Sequence, residues 1–142
     1  MKYSVILHIK TIKKHYKACH RQIQMIKTSP IKIKTKGDTD LINITDKVQS
    51  ILKNSGIKEG IAIIFVAGST AALTTIEYEP GLIQDLKEFF EKISPRHGGY
   101  NHNKINGDGN GHAHVCASLL KPSLTIPFKN SPKQFWKIRI IC

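Results

Sequence analysis

The feature that most constrains the fold is a continuous apolar run from Ile61 to Val66, rich in β-branched residues. Such a run predicts a buried strand, which needs other elements packed around it. Gly68-Ser69-Thr70 interrupts the run, and residues 71–78 then predict a second strand. On that strand, alternation places Thr74, Ile76 and Tyr78 on one face.

Two amphipathic helices are predicted on either side of these strands in the chain. The first carries an apolar stripe at helical spacing, with Thr45 as the predicted N-cap and Gly56 as the stop. The second begins at Pro80 and ends at Ser94-Pro95. Its apolar side is expected to be buried and consists of Leu82, Leu86, Phe89, Phe90 and Ile93.

Further strands are predicted before and after this central part. Ile31 to Thr35 alternates apolar and polar residues, as a half-buried strand does. A Gly-rich loop from Gly98 to Gly111 leads to a predicted strand at 112–120, which a turn joins to a strand at 124–128 as a hairpin. The pattern predicts an α+β fold, a mixed or antiparallel β-sheet sandwich with two main helices.

The basic charge is spread unevenly along the chain of 142 residues, whose formal net charge is +12. Residues 1–24 carry six Lys/Arg and no acid, whereas residues 25–142 carry sixteen basic and ten acidic residues. We expect translation to begin at Met25, which makes residues 1–24 a basic extension and residues 25–142 a single domain. A basic tail can bind nucleic acid, but the sequence has no RNA-binding aromatic motif, so nucleic acid is not an expected partner.

The cellular setting follows from what the sequence lacks. No apolar run approaches the ~20 residues of a membrane span, and the N-terminus does not resemble a secretory signal. The three cysteines (Cys19, Cys116 and Cys142) are scattered and odd in number, which does not suggest a disulfide framework. A reducing, cytoplasmic location is therefore expected.

The stretch from His102 to His114 concentrates the residues that can carry chemistry. On the predicted strand, His112 and His114 leave the same face about 6–7 Å apart, and His102 can join them from the loop. Three histidines with an open position suit a catalytic Zn²⁺. Gly107 and Gly109 can bring the backbone close to a ligand. The alternative is a structural loop whose histidines face solvent.

Other polar residues are candidates for binding or proton transfer. Ser69 and Thr70 follow a strand and can hold phosphate oxygens, as can the amides around Asn110. Glu77 is a candidate general acid/base, whereas Glu79 is expected to cap the helix at Pro80. Cys116 shares the face of His112 and His114 on the predicted strand, where a packing role is expected.

Four motifs together closely resemble the YjbQ family, whose members are often labelled secondary thiamine-phosphate synthases. They are ITDKV at 44–48, GSTAALTTIEYEPG at 68–81, GDGNGHAH at 107–114 and ASLLKPSLTIP at 117–127. The resemblance covers about residues 25 to 130. It implies an α+β fold, a homotrimer with sites near subunit boundaries, and a bound divalent metal.

The resemblance also assigns residues. It places the histidine cluster at His102, His112 and His114, with His102 and His114 the more general members, and Asp108 beside them in the glycine loop. The other polar strand and turn positions of the family correspond to Ser69, Thr70 and Glu77.

The sequence departs from the family after Lys129. Family members continue with a glycine-containing hairpin and further strands, including a terminal β-strand, whereas this chain reads NSPKQFWKIRIIC and stops. We therefore expect a frameshift or truncation near residue 130 and missing C-terminal strands, which would expose sheet edges. The coding DNA, read in all frames, tests this expectation.

The resemblance implies an enzyme that joins a pyrimidine diphosphate to a thiazole phosphate and releases pyrophosphate. The predicted metal ligands are His102, His112 and His114, for zinc, with magnesium as the alternative. The predicted catalytic residues are Glu77, Asp108 and His114. Ser69, Thr70, Gly107, Gly109 and Asn110 would hold a small phosphorylated substrate. The alternatives are a non-catalytic metal- or phosphometabolite-binding protein and an inactive truncated product.

Overall fold

Residues 2–10, 26–37, 39–129 and 138–141 are described by a computed structural model. The strands are β1 (Lys2–Lys10), β2 (Ile26–Lys34), β3 (Leu41–Asn43), β4 (Glu59–Ala67), β5 (Ala72–Thr75), β6 (Ser123–Lys129) and β7 (Ile138–Ile141). The helices are α1 (Thr45–Ser55), α2 (Pro80–Ile93), α3 (Asn101–Asn106) and α4 (Gly111–Leu120). Every described strand pair is antiparallel, so the predicted α+β class is confirmed, with α3 and α4 in addition to the two expected helices.

The main sheet has the strand order β2-β1-β4-β6, and β1 lies in its interior. Val5, Leu7 and Ile9 alternate with exposed or half-buried residues and are fully buried, because a strand turns every second side chain to one face. Lys2–Lys10, part of the predicted basic extension, therefore belongs to the main sheet and pairs with β2 and β4. Residues 11–25 lie outside the described chain, and the start at Met25 stays a prediction.

Strand β4 is not buried on both sides as the apolar run predicts. Ala62, Ile64 and Val66 are fully buried, whereas Ile63 and Phe65 are 38% and 39% exposed. The inner face packs against α1 across the main core, and the outer face carries the exposed apolar side chains. Apolar composition alone cannot reveal this, because the residues on the two faces are equally hydrophobic.

Helix α1 begins at Thr45, one residue earlier than it would with Thr45 as its N-cap, so the predicted capping role of Thr45 is wrong. The N-cap is Ile44, which makes no side-chain cap, and Asn43 Oδ1 accepts the hydrogen bond of the Thr45 amide at 3.0 Å. The Thr45 hydroxyl instead accepts from the Ile138 amide of β7 at 2.9 Å. The predicted stop is confirmed: Gly56 has φ 71° and donates its amide to Lys53 O.

A second, smaller sheet has the order β3-β7-β5. Leu73 and Ile138 of this sheet belong to the main core, whereas Leu41 and Ile141 pack with Phe90 in a smaller cluster. The sheet therefore separates the main core from the layer formed by α2 and α4. The expectation that terminal strands are missing is wrong for β7, which pairs with both neighbours.

Helix α2 has the predicted bounds, and Glu79 is its cap as expected, accepting from the amides of Gly81 (2.7 Å) and Leu82. Its predicted apolar side is only partly covered: Phe90 is buried, but Phe89 and Ile93 are 53% and 44% exposed. The preceding strand β5 ends at Thr75 instead of Tyr78, so the predicted strand face of residues 74 to 78 does not form.

The predicted strand at 112–120 is wrong, because Gly111–Leu120 forms helix α4. Part of the predicted glycine loop is also helical, as α3. The expected hairpin is absent from the described residues, since β6 pairs with β4. In the described ranges, no helix is long and apolar enough to cross a membrane.

Candidate histidine site

The helical conformation of α4 separates the two histidines that the strand prediction places together. Residues two apart on a helix point about 200° apart, so His112 and His114 leave different sides of α4. His114 instead meets His102 of α3, with ring centroids 4.5 Å apart and ring planes at 57°. The expected cluster of three histidines is therefore divided into a pair and a separate residue.

Asp108 completes the His102–His114 pair. Its Oδ1 lies 3.4 Å from His102 Nε2, and both side chains are partly exposed. Desolvation raises the pKa of Asp108, but the Asn110 backbone hydrogen bond and the nearby His102 ring outweigh it, so the net pKa is lowered. The site therefore holds an ionised carboxylate beside an imidazole at neutral pH.

Asn106 contacts the His102 ring from one turn further along α3. Its Nδ2 amide lies 3.2 Å from His102 Nδ1 and 3.4 Å from His102 Nε2. Because a carboxylate only accepts, Asp108 beside Nε2 favours the tautomer with the proton on Nε2, which leaves Nδ1 as the acceptor for the Asn106 amide. The carboxylate and the amide together fix the orientation of the ring.

The glycines of the loop allow the turn after α3 and the close packing at the start of α4. Gly107 (φ 72°) ends α3 and donates its amide to Asn103 O, so that amide is not free to hold a phosphate. The Gly111 amide donates to Asn103 Oδ1 at 2.8 Å. A Cβ at Gly111 would lie 2.7 Å from Tyr100 Cβ, so the close approach of Tyr100 requires a glycine there.

His112 faces the opposite side of α4, toward β5 and β7. Its Nδ1 is buried and has no hydrogen-bond partner among the described residues. The adjoining space, shared with Thr70, Cys116 and Ile141, measures about 10 Å³, which is room for about one water molecule. Cys116 lies one helical turn from His112 and therefore shares its side of α4. The prediction that Cys116 also shares a face with His114 is wrong. Burial raises the pKa of the Cys116 thiol.

Thr70 is held beside this space by a residue from β1. Tyr3 Oη and Thr70 Oγ1 are 2.6 Å apart. Gly68, two residues before Thr70, has φ 152° and packs closely against the Tyr3 ring. A Cβ added at Gly68 would lie 3.0 Å from Tyr3 Cε1. The contact places the hydroxyl of Thr70 near His112, whereas the neighbouring Ser69 is exposed.

Glu77 is not brought to the histidines by the described contacts. It follows the end of β5 and is exposed, and no described hydrogen bond or ion pair joins it to His102, His112 or His114. Asn110 carries a buried Oδ1 without a described partner, and Gly109 has φ 68°. Both lie in the segment between α3 and α4.

The donor chemistry of the pair suits a divalent transition metal, since imidazole and carboxylate are its common ligands. In the part of the chain that the structure describes, however, no three His, Cys, Asp or Glu side chains converge on one metal position. His112 lies apart from the His102–His114 pair, beside Thr70 and Cys116. The arrangement provides two imidazoles and an orienting carboxylate.

Sequence reasoning does not anticipate the residues that orient this site: Tyr3, Tyr100, Asn103 and Asn106. Tyr100 Oη donates to Pro95 O at 2.8 Å and lies 2.9 Å from Ser94 Oγ, which ties the start of α3 to the end of α2. The spacing of His102 and Asn106 could have indicated their contact, because residues four apart share a helix face. That spacing is informative only if the segment is helical, and α3 was not predicted.

A family model described as "UPF0047 protein YjbQ-like" matches residues 29–135. The chain belongs to the YjbQ family. Its β1 and β7 lie outside the matched range, although both pair within the fold. The resemblance of the four motifs is therefore confirmed as a family relationship.

Relatives and solved structures agree on this relationship. A UPF0047 protein from Methanothermobacter thermautotrophicus is 36% identical over 103 residues, 72% of this chain and 71% of the relative. A YbjQ-like protein of unknown function from Sulfolobus solfataricus has a TM-score of 0.69 at 34% identity, covering 77% of this chain and 80% of that one. A YjbQ/UPF0047 protein from Clostridium acetobutylicum has a TM-score of 0.66 at 32% identity, covering 77% and 83%.

Proposed function

We propose that this YjbQ-family chain is a secondary thiamine-phosphate synthase, which joins a pyrimidine diphosphate to a thiazole phosphate. The observation that carries the proposal is the His102–His114 pair with Asp108 against it, on the partly exposed side of α3 and α4. A pair of imidazoles oriented by an ionised carboxylate can bind an anionic leaving group. It can also hold a proton at a defined ring nitrogen.

The reaction needs stabilisation of the leaving group more than removal of a proton. The thiazole ring nitrogen uses its lone pair to form a C–N bond with the pyrimidine methylene carbon. The C–O bond to the diphosphate breaks, and its electron pair leaves with pyrophosphate. The protein must therefore neutralise negative charge on the departing oxygens. In this scheme His114 donates a hydrogen bond to the pyrophosphate, and Asp108 keeps His102 oriented.

His102 and His114 would hold a divalent metal, with zinc favoured over magnesium by the nitrogen ligands. A carboxylate that accepts the Nε2 proton of a histidine while Nδ1 binds a metal is a common arrangement. When bound, the metal would supply positive charge against the pyrophosphate. Asn106 would then give up its contact with His102 Nδ1. Two imidazoles leave positions for water and substrate.

Phosphate positioning falls to the neighbouring backbone and hydroxyl groups. Ser69 is exposed and free of described side-chain contacts, so its hydroxyl is available to a phosphate oxygen. Gly109 and Asn110 form the approach to α4 beside the histidine pair. Thr70 contributes less directly, because its hydroxyl is already paired with Tyr3. Glu77 needs a movement of its segment to take part.

The test is an assay of the purified chain with both substrates, following thiamine phosphate and pyrophosphate together. His114→Ala should lower the rate by about 10²-fold or more and weaken zinc binding in calorimetry. His97→Ala is the matched control, because His97 is an exposed loop residue, and it should change neither. Full activity in His114→Ala would contradict the proposal.

A second candidate function is binding of a metal or phosphorylated metabolite without turnover. The placement of Glu77 favours this candidate. Glu77 is the one predicted acid/base outside the histidine loop, and it has no described contact with that loop. Under this candidate, calorimetry detects binding of zinc and of a thiazole phosphate, and both substrates remain unchanged in the assay. Formation of product in proportion to pyrophosphate excludes it.

We also propose that the chain forms a homotrimer, as the family resemblance implies. The helices that carry the histidine pair expose large apolar side chains in the single chain, with Ile105 of α3 at 82% and Leu119 of α4 at 58%. Exposed apolar surface is typical of subunit contacts. Light scattering should give three times the chain mass, and Ile105→Asp should shift the mass toward the monomer. A monomeric wild-type chain would contradict this part.

A further inference from the structure

A second concave surface lies at one end of the main sheet, and no histidine lines it. Side chains from the start of β1, the end of β2 and the first turn of α1 line a groove of about 750 Å³. Its lining is Lys2, Tyr3, Ser4, Lys32, Ile33, Lys34 and Lys47. We call this surface the lysine groove. Its volume lies within the range of small-ligand pockets, about 300–1,000 Å³.

The lysine groove is strongly positive. Four of its seven lining residues are lysines and none is acidic. The nearest described acid on α1, Asp46, lines an adjoining groove together with Lys32 and Lys47. Residues 1–37 contain ten Lys/Arg and no Asp or Glu, so this part of the chain supplies no carboxylate to offset the charge.

The arrangement of these lysines does not help the sheet to form. Lys2 lies directly opposite Lys34 in the β1–β2 register, and Ser4 lies opposite Lys32. Like charges directly opposite on neighbouring strands repel and destabilise the pair. A bound anion would relieve this repulsion. The lysine cluster therefore destabilises the strand pair in the unbound chain and favours binding of an anion.

The chemistry of the lining selects the class of anion. Proteins that bind single-stranded nucleic acid add aromatic side chains on which bases stack. The one aromatic residue among the lining residues is Tyr3, which is 9% exposed and whose hydroxyl is engaged with Thr70. The lysine groove therefore offers charges to phosphates and no exposed ring to a base.

We propose that the lysine groove binds a chain of linked phosphates, either free oligophosphate or the triphosphate of a nucleotide. The lysine side chains are ammonium point charges on flexible stems, which suit several phosphate oxygens without fixed geometry. This site is independent of the histidine pair, which lies on different elements, so either proposal can fail alone.

The experiment is calorimetry of the full chain with sodium tripolyphosphate at low salt. The variant Lys2→Gln/Lys32→Gln/Lys34→Gln/Lys47→Gln should bind at least about tenfold more weakly, since each exposed ion pair contributes a small free energy and four are removed. The matched control is Lys58→Gln/Lys87→Gln/Lys92→Gln/Lys129→Gln. It removes the same charge from exposed positions elsewhere and should bind as the wild type does.

Two further arms make the result decisive. The Lys→Arg version of the groove variant keeps the charge and should retain binding, which separates loss of charge from misfolding. ATP and tripolyphosphate with equal affinities identify the phosphate chain alone as the ligand, whereas tighter ATP binding that the groove variant loses identifies a nucleotide. Equal losses in the groove and control variants overturn the proposal, as does binding of single-stranded RNA without binding of tripolyphosphate.

Discussion

The main core and the layer that carries the histidines are packed to very different degrees. Among the described residues, seventeen buried apolar side chains form the cluster between the main sheet and α1. Only three buried residues, Leu41, Phe90 and Ile141, anchor the cluster beneath α2 and α4. Because hydrophobic burial dominates folding free energy, most of the stability of the molecule resides on the sheet side.

The difference means that the histidine site depends on a few polar contacts. Asn103 accepts from the Gly111 amide, and Ser94 donates to His112 O at 3.2 Å, which ties α4 to α3 and α2. Regions with few buried apolar contacts open more readily than a core. Substitutions in the sheet should therefore unfold the chain, whereas substitutions around the histidines should change the site with small effects on stability.

The largest effect is expected from Leu7→Ala in β1. Leu7 is fully buried at the centre of the main sheet, so a cavity there should lower the free energy of unfolding by about 2–5 kcal/mol. Urea denaturation followed by circular dichroism measures it. Ile26→Ala, at a 62% exposed position of β2, is the control and should stay within about 0.5 kcal/mol.

The same contrast predicts how a chain that begins at Met25 would behave. A chain that begins there lacks β1, which is paired with both β2 and β4. It should show no cooperative unfolding transition. A shortened chain that unfolds at the wild-type temperature would mean that β1 is dispensable and that the core is smaller than described.

The next effect is expected from Arg139→Ala in β7, the strand shared by the two regions. Arg139 is 1% exposed, and its Nη1 donates to Asn43 Oδ1, Thr45 Oγ1 and Ile138 O at 2.6, 2.9 and 2.7 Å. Its guanidinium also lies 4.1 Å from the centre of the Tyr78 ring. Loss of these charge-assisted hydrogen bonds and of the packing of the buried side chain should lower the free energy of unfolding by about 1–3 kcal/mol. Lys129→Ala, at an exposed position, should be nearly neutral in the same titration.

A smaller effect is expected in the helical layer from Glu79→Ala. Loss of the cap should lower the free energy of unfolding by about 1 kcal/mol. Glu77→Ala is the matched variant, two residues earlier and exposed, and should change stability by less than about 0.5 kcal/mol. A thiamine-phosphate assay of both variants adds a second readout. Loss of activity in Glu77→Ala alone supports the catalytic role, and equal activity in both contradicts it.

The smallest effect concerns the pH dependence of Asp108. Because its folded pKa is lowered below the ordinary 3.8, the ionised carboxylate stabilises the fold above the unfolded value, and this contribution is lost as pH falls through the folded pKa. Asp108→Asn should therefore melt slightly below the wild type at pH 7, and the difference should shrink as pH falls below 3.8 and vanish once the carboxyl is protonated in the folded chain as well. Thermal melts across that range measure it, with Asp85→Asn as the control. A difference that grows toward low pH would contradict the assignment.

The predictable elements are those whose cues are local. Helix α2 combines a capping carboxylate at Glu79, Pro80 in its first turn and a stop at Ser94, and all three act within a few residues. Gly56 stops α1 because glycine adopts a positive φ without strain. In β1, Tyr3, Val5, Leu7 and Ile9 alternate with polar or half-buried residues, so the signal of a strand was present and was hidden by the surrounding lysines.

The candidate site shows where local cues fail. The apolar run at 111–120 is short, and such runs do not distinguish a strand from a helix. The helix at 111–120 begins where the side chain of Asn103, on the preceding helix α3, accepts the Gly111 amide. Because residues 111–120 form a helix and not a strand, His112 lies on the side of α4 opposite His114. His114 meets His102 instead.

By itself, the sequence determined the family, the α+β class, helix α2 and the segment in which the chemistry is expected. Motifs and caps are carried by neighbouring residues, so they can be recognised along the chain. Only the tertiary structure decided which histidines meet, that β1 lies inside the main sheet, and that β7 closes the smaller one. Those outcomes depend on contacts between residues as far apart as Thr45 and Ile138, and such contacts exist only after the chain has packed.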